Sequence, residues 1–203
     1  MNFCVISPVL GLDRYSSLSK THLVLPQVID KVYWKFYKEK WEGGDTIIVD
    51  NGAYEGVKFN QARFLFTLEL FERKCIGVLP DYLLESWEKT WHASTAFLDR
   101  WEKEYSGMEW MGVAQCAVAE DNGPTPLIEK FLQDERVDWI GLPRALATDV
   151  YGIWARASFC HRIKRSGRVY VHALGMANGD TRELPLLEEA GCDSIDSSAP
   201  VWR

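Results

Sequence analysis

Short apolar runs alternate along this chain with segments of helical length, and from Thr46 onward they recur at intervals of about 30 residues, the size of a strand–helix–strand unit. The runs are continuously apolar, as the strands of a parallel sheet covered on both faces must be. The segments between them have apolar residues at three- and four-residue spacing, which is typical of amphipathic helices. The runs are FCVIS (3–7), HLVLPQV (22–28), TIIVD (46–50), CIGVLPD (75–81), WMGVAQ (110–115), WIGLP (139–143), RVYVHALG (168–175) and DSIDSS (193–198).

This alternation predicts one α/β domain over residues 1–203. We favour a compact (β/α)8-type TIM barrel, for which ~200 residues is the lower limit of length, over an open parallel sheet. Closure requires the first two runs, and the segment 8–21 between them leaves little room for a crossover helix. We therefore expect the barrel to be incomplete or irregular at its N-terminal strands, and the open sheet remains the alternative.

Two of the intervening segments have specific helical signals. The segment from Asp180 to Glu183 has the pattern of a capping box, so we expect a helix to begin there and to end at Gly191. The other signal is an apolar stripe, which predicts a helix packed on the barrel rather than a cofactor site. Its members are Leu84, Trp87, Trp91, Leu98 and Trp101.

Cysteine usage and hydropathy exclude several classes of protein. The five cysteines are scattered and never spaced C-x-x-C, which predicts reduced thiols and no zinc site. The start MNFCVISPVL has no basic n-region, and no apolar run approaches the ~20 residues that span a bilayer. We therefore expect a cytoplasmic protein without a signal peptide or a membrane span.

The charge of the chain bears on nucleic-acid binding. A formal net charge of −6 argues against a broad nucleic-acid surface, although a local basic face is compatible with it. One segment is locally basic, and it is either a solvated helix face or a phosphate-contacting patch. Its residues are Arg156, Arg162, Lys164, Arg165 and Arg168.

Polar groups stand at the C-terminal ends of successive runs, the edge where parallel α/β folds bind ligands. Each group also has a structural interpretation: Asp-Asn-Gly is a strong turn sequence, His172 suits a buried core histidine, and Cys116 suits a buried thiol better than a nucleophile. Their common position at one edge favours a functional site. The groups are Asp50-Asn51, Asp81, Gln115, Gly141-Leu142, His172 to Gly175 and Asp196 to Ser198.

In their order along the chain, these strand ends resemble the motifs of the tRNA-guanine transglycosylase superfamily. In length, the chain is more similar to small phage-encoded members associated with 7-deazaguanine modification of DNA than to the tRNA enzymes. Five residues follow Ser198 in this sequence, and we expect no counterpart of the Cys/His zinc subdomain of the tRNA enzymes. The matching segments are DNGAYE (50–55), LPD (79–81), GVAQ (112–115), IGLP (140–143), HALGM (172–176) and SIDSS (194–198).

The resemblance implies an enzyme that exchanges guanine in a polynucleotide, DNA rather than tRNA, for a 7-deazaguanine base. It implies a covalent aspartyl–sugar intermediate and no metal or redox cofactor. Asp196 would be the nucleophile, and Asp50 the acid/base or recognition carboxylate. The base would be held by Asn51, Tyr54, Asp81, Gln115, Gly141, Leu142, His172 and Met176. The nucleic acid would be contacted by Arg144, Arg162, Lys164 and Arg165.

The last strand contains a second carboxylate, Asp193, three residues before Asp196. Asp193 stands at the entry of the strand, the end that serves stability in barrels, so we expect it to be structural. Ser197 and Ser198 are candidates to orient Asp196.

Two other functions remain open: a base-exchange enzyme or N-glycosidase acting on free nucleosides or nucleotides, and a non-catalytic base-binding partner of a larger transglycosylase. A partner protein or a homo-oligomer is compatible with either. A phage-encoded chain would act in the cytoplasm of its host.

Overall fold

A computed structural model of the chain describes residues 1–6, 11–28, 30–54, 56, 58–118, 122–146, 151–176 and 180–197. In these residues, eight strands alternate with seven α-helices. The strands are β1 (Asn2–Val5), β2 (Thr21–Val24), β3 (Thr46–Val49), β4 (Ile76–Val78), β5 (Glu109–Val113), β6 (Trp139–Pro143), β7 (Tyr170–Leu174) and β8 (Ser194–Ser197). The helices are α1 (Leu12–Ser16), α2 (Lys31–Glu42), α3 (Gln61–Leu70), α4 (Trp87–Trp101), α5 (Thr125–Gln133), α6 (Ala155–Lys164) and α7 (Glu183–Glu189), with a 3₁₀ turn at Pro26–Val28.

The strands form one parallel sheet in the order β1-β8-β7-β6-β5-β4-β3-β2, so each strand from β2 to β7 pairs with the next along the chain, and β8 pairs with β1. The two edge strands, β1 and β2, lie side by side, which makes the sheet a nearly closed (β/α)8 barrel. Among the described residues no backbone ladder joins β1 to β2. The predicted barrel is confirmed, and so is its irregularity at the N-terminal strands.

The side chain of Ser19 links β1 and β2 across the seam, the boundary at which no backbone pairing joins them among the described residues. The Ser19 hydroxyl donates to the carbonyl of Phe3 in β1 and accepts the backbone N–H of Thr21 at 2.9 Å. The crossover between the two strands has only the five-residue helix α1 among its described residues, in keeping with the short segment available to it.

Alternation along the strands separates two apolar layers. The buried apolar side chains inside the barrel include Cys4, Leu23, Ile48, Ile76, Val78, Met111 and Val113, and a larger cluster fills the space between the strands and the helices. The interior is narrow at Gly141 in β6, where a Cβ atom would stand 2.8 Å from Leu174 Cδ1 and 3.2 Å from Met111 Sδ. Gly141 therefore makes room for the larger residues of its neighbours.

Helix α4 carries the predicted tryptophans, and Trp87, Trp91 and Trp101 pack, partly buried, against the apolar cluster as predicted, but Leu84 does not. Leu84 precedes the helix, has a positive φ of 57° and is 47% exposed, so it does not belong to the stripe. Trp91 packs sideways on α5, its ring 5.7 Å from that of Phe131. The residues of α4 that are buried are Thr90, Ser94, Phe97 and Leu98.

None of the helices in the described ranges is both long enough and apolar enough to cross a membrane.

Candidate active site

Three of the predicted site residues meet at the carboxyl ends of β3, β4 and β5, which form part of the mouth of the barrel. The Asp81 carboxylate accepts one N–H from the Asn51 side chain and one from the Gln115 side chain, each at 2.6 Å and each on a different oxygen. Asn51 also donates to the Leu79 carbonyl at 2.6 Å and accepts the N–H of Ala53 at 2.8 Å. Asp81 is thus held from both sides by amides, and the Asn51 amide is itself fixed by the backbone.

The backbone on either side of Asp81 is attached to helix α4. The Ser94 hydroxyl donates to the Pro80 carbonyl at 2.9 Å, and the Tyr82 N–H donates to the Thr90 hydroxyl at 3.1 Å. Both hydroxyl-bearing residues are fully buried. The hydroxyl groups of Thr90 and Ser94 on the inner face of α4 therefore hold the loop that carries Asp81, which apolar residues could not do.

Burial raises the pKa of Asp81 to about 6, and the hydrogen bonds from Gln115 and Asn51 act in the opposite direction. Removal of a carboxylate from water disfavours its charged form, while N–H donors favour it. Asp81 is therefore ionised at neutral pH and takes up a proton in mildly acidic solution.

Asp196 lies inside the barrel on β8, where it is 3% exposed. Its Oδ1 atom lies 3.0 Å from His172 Nε2 and accepts the backbone N–H of Gly175 at 2.9 Å. His172 Nδ1 in turn lies 2.7 Å from the Ser194 hydroxyl oxygen. The predicted nucleophile and His172 are therefore in contact, and His172, with no exposed surface, is not open to a ligand.

The partners of Asp196 differ from those expected. Ser197 follows it directly on β8, so its side chain points to the opposite face of the strand. Ser198 lies outside the described residues. On the neighbouring strand, Cys4 stands in register with Asp196, and burial together with the Asp196 charge raises the pKa of the Cys4 thiol. That thiol is therefore neutral.

The turn that supplies the Gly175 N–H is fixed by a buried ion pair. Arg156 and Glu183 have no exposed side-chain surface, and the guanidinium binds the carboxylate in a two-pronged arrangement at 2.7 and 2.5 Å. Arg156 also donates to the carbonyls of Leu142, Leu174 and Gly175. Gly175 has a positive φ of 71°, a conformation for which glycine is suited.

This ion pair corrects two sequence interpretations. Glu183 is not the acid of a capping box, because its carboxylate is committed to Arg156, and Asp180 instead accepts the N–H of Arg182 at 3.0 Å. Helix α7 begins at Glu183. Arg156 is not available to phosphates, because it is buried inside this pair.

Asp50, Tyr54 and Arg144 stand at the rim of the mouth. Asp50 follows β3 directly, on the same face as the interior residue Ile48, and accepts the N–H of Asn51 at 2.8 Å. Tyr54 is 59% exposed, and its hydroxyl accepts a hydrogen bond from Arg144, whose guanidinium lies 5.1 Å from the centre of the tyrosine ring. Arg144 follows β6, so this contact links loops on different sides of the mouth.

Three predicted base-binding residues lie deeper than the rim. Gly141 and Leu142 are inside β6, and their carbonyls accept hydrogen bonds from Ala114 and Arg156 respectively. Met176 is buried in the apolar cluster between the sheet and the helices. The carbonyls of Gly141 and Leu142 are therefore already engaged within the protein.

The remaining predicted nucleic-acid contacts are away from the mouth. Lys164 ends α6 and donates to Asp193 at 2.9 Å, which places it at the amino ends of the strands. Arg162 pairs with Glu129 on the outer face of the barrel, and Arg165 is exposed just past α6. Asp193 also accepts the N–H of Val171 at 2.7 Å, as expected for a structural carboxylate at the entry of β8.

The amino ends of the strands also border a cavity of about 480 Å³, but its carboxylates are already engaged. Asp45 lies 2.9 Å from His22 Nε2, and Glu109 accepts the indole N–H of Trp139. In barrel enzymes the opposite end holds the active site, so we assign the candidate site to the mouth.

Metal ligation has no evident place among the residues described. No group of three or more His, Cys, Asp or Glu residues is arranged there to hold a metal ion. All five cysteines lie in the described ranges, are buried and form no disulfide there, and Cys116 belongs to the apolar cluster, in agreement with its interpretation as a core thiol.

Sequence reasoning missed the residues that support the site rather than form it. They are Thr90, Ser94, Arg156, Glu183 and Ser194. A signal existed for the first two, because two hydroxyl residues four apart on an otherwise apolar helix face require partners when buried.

No family model matches the chain, and no curated protein matches it. Among solved structures, the chain is similar to N-acetylneuraminate lyase from Fusobacterium nucleatum, with a TM-score of 0.58 and 12% sequence identity over 98% of this chain and 69% of that chain. A likeness at this level of identity concerns the fold alone. It agrees with the (β/α)8 barrel observed here.

Proposed function

We propose that this protein is a base-exchange transglycosylase, which replaces guanine in a polynucleotide with a 7-deazaguanine base through a covalent aspartyl–sugar intermediate. One observation carries the proposal: the mouth of the barrel holds two carboxylates in different environments. Asp81 is held by amides at the rim, whereas Asp196 is anchored inside the barrel by one oxygen.

The environment of Asp81 suits recognition of a guanine-like edge. Guanine and its 7-deaza analogues present two adjacent donors, N1–H and the 2-amino group, which one carboxylate can accept together. Each carboxylate oxygen has two acceptor positions, so Asp81 can keep its bonds to Asn51 and Gln115 while it binds the base. Tyr54, exposed at the rim, would stack on the face of the base.

The environment of Asp196 suits nucleophilic attack on the sugar. In the first step a carboxylate oxygen forms a bond to C1′, the C1′–N9 bond breaks, and its electron pair passes to the departing guanine, which takes a proton from Asp50. In the second step the incoming base loses its N9 proton to Asp50, and N9 displaces the carboxylate from C1′. The oxocarbenium-like transition states are stabilised by the negative charge of Asp196.

The test measures incorporation of labelled 7-deazaguanine bases into duplex DNA, single-stranded DNA, tRNA and nucleosides in parallel. We expect Asp196→Ala to abolish both exchange and the trapped protein–sugar adduct, because the bond to C1′ can no longer form. Asp193→Ala is the matched control on the same strand. It should retain exchange and lose about 1–3 kcal/mol of stability, because the Val171 N–H loses its acceptor.

Peptide mapping of the wild-type adduct checks the same assignment directly. A sugar found on Asp50, or continued exchange by Asp196→Ala, would contradict the proposed nucleophile. Binding of the base without any adduct on any substrate would support a non-catalytic base-binding subunit instead.

A second candidate, base exchange or hydrolysis on free nucleosides, is favoured by the location of the basic residues. Lys164 is the last residue of α6 and Arg165 comes directly after it, at the end of the helix that points away from the mouth. Arg162 is paired with Glu129. Turnover confined to the nucleoside arm of the assay would support this candidate over a polymer substrate.

A further inference from the structure

The carboxylate of Asp196 is held asymmetrically. Two N–H groups, His172 Nε2–H and the Gly175 backbone N–H, converge on Oδ1 at 3.0 and 2.9 Å. No residue in the described ranges donates to Oδ2. The two oxygens of one carboxylate are therefore in different situations, one anchored and one unengaged.

The contact with Asp196 also requires a hydrogen on Nε2 of His172. An ionised carboxylate can only accept, so the ring nitrogen facing Oδ1 must bear the hydrogen. Nδ1 lies 2.7 Å from the Ser194 hydroxyl oxygen, so both ring nitrogens have hydrogen-bond partners. A second ring partner of this kind commonly fixes both tautomer and orientation.

His172 acts on the reaction only through Asp196. It has no exposed surface, and its two ring nitrogens are committed to neighbours on β8, so neither the base nor the sugar can touch it. It differs in this respect from Tyr54 or Asp81, which lie at the rim.

We propose that His172, supported by Ser194, is the positioning residue for the nucleophile: it fixes Oδ1 of Asp196 and thereby reserves Oδ2 as the oxygen that bonds C1′. The reactive oxygen would otherwise exchange with its twin by rotation about the Cβ–Cγ bond. This inference rests on the proposed function for the identity of the reaction, but the hydrogen-bond arrangement itself is testable without activity.

The first measurement is nitrogen-15 NMR of the histidine rings in the wild-type protein at pH 7. The chain has four histidines, and His172→Gln assigns the signal. We expect the spectrum to show His172 as the Nε2–H tautomer, with a slowly exchanging Nε2 proton. The chemical shift of this proton should change in Asp196→Ala. A ring with hydrogen on Nδ1 alone, or a signal indifferent to Asp196→Ala, would overturn the arrangement.

The second measurement is the kinetics of base exchange. His172→Leu should lower kcat about 100-fold through misplacement of the nucleophile, with little change in KM for the base. His172→Gln can place an amide N–H near the position of Nε2 and should recover about tenfold of that loss. Unchanged kcat in His172→Leu, or a rise in KM alone, would overturn the positioning role.

The two measurements separate the possible failures. Wild-type protein that shows the expected tautomer but neither exchange nor adduct would overturn the proposed function and leave the anchored carboxylate standing. Protein that exchanges bases but shows hydrogen on Nδ1 alone would support the proposed function and overturn the anchored carboxylate. If His172→Leu does not fold, the wild-type spectrum and the His172→Gln kinetics still decide the matter.

Discussion

At the scale of single residues, the raised pKa of Asp81 links base binding to pH. The carboxylate accepts two donors from the base only when it is ionised, and burial raises its pKa to about 6. We therefore expect affinity for the free base to fall below pH 6, by up to about tenfold per pH unit. Calorimetric titration between pH 5 and pH 8 tests this, with Asp81→Asn as the control that binds weakly at every pH.

The same shift predicts the opposite trend for stability. Because the pKa in the folded state lies above the unfolded value, the folded protein takes up the proton first, and its stability gains as pH falls from about 6 toward 4. The stability of the wild type relative to Asp81→Asn should therefore rise on acidification, by about 3 kcal/mol at most. A relative stability that stays flat from pH 7 to pH 5 would show that Asp81 is not buried as described.

At the scale of elements, helix α4 determines where Asp81 stands. Loss of either hydroxyl frees one side of the loop, so Ser94→Ala and Thr90→Val should each raise KM for the base about three- to tenfold. Thr95→Val is the matched control, because its hydroxyl bonds the Trp91 carbonyl of the same helix and not the loop. An equal effect in all three variants would indicate general destabilisation of α4 instead.

The strands show how far the sequence could predict the elements. The run at 139–143 coincides with β6, whereas the run at 75–81 exceeds β4 by several residues. Leu79 and Pro80 continue the apolar pattern after the ladder has ended, since a buried loop needs the same side chains as a buried strand. Periodicity likewise placed Leu84 on the stripe of α4, but its backbone conformation ends that pattern before the helix begins.

The site was predictable only where its residues occupy strand ends. Asn51, Asp81 and Gln115 fall there and do meet, as do His172 and Asp196. Arg156 and Glu183 could not be paired from the sequence, because each lies on a helix that presents an ordinary charged pattern. Their contact depends on how α6 and α7 approach the turn at Gly175, which is a tertiary property.

At the scale of the whole molecule, the distribution of basic residues predicts how a polymer would bind. Arg144 stands at the mouth, whereas Arg165 follows the far end of α6. If the substrate is a polynucleotide, Arg144→Gln should reduce the salt dependence of binding by about one phosphate contact, and Arg165→Gln should leave it unchanged. Titrations between 50 and 200 mM salt, roughly the range in which such contacts are lost, make the comparison.

The opposite result would indicate that the polymer binds the basic segment around α6 instead of the mouth. A smaller salt slope in Arg165→Gln, with Arg144→Gln unaffected, would support the sequence prediction that Arg162, Lys164 and Arg165 contact the nucleic acid.

The seam between β1 and β2 gives the barrel an unusual means of closure. In the part of the chain that the structure describes, seven strand pairs hold the sheet by backbone hydrogen bonds, whereas β1 and β2 are linked by a serine side chain and by the short connection between Val5 and Thr21. A short tether keeps its two ends at a high effective concentration and costs little loop entropy to close. In this sense β2 resembles a ligand that stays near β1 because the two are covalently linked. Lengthening the connection between Val5 and Thr21 should therefore loosen the barrel between β1 and β2 while the seven ladders remain.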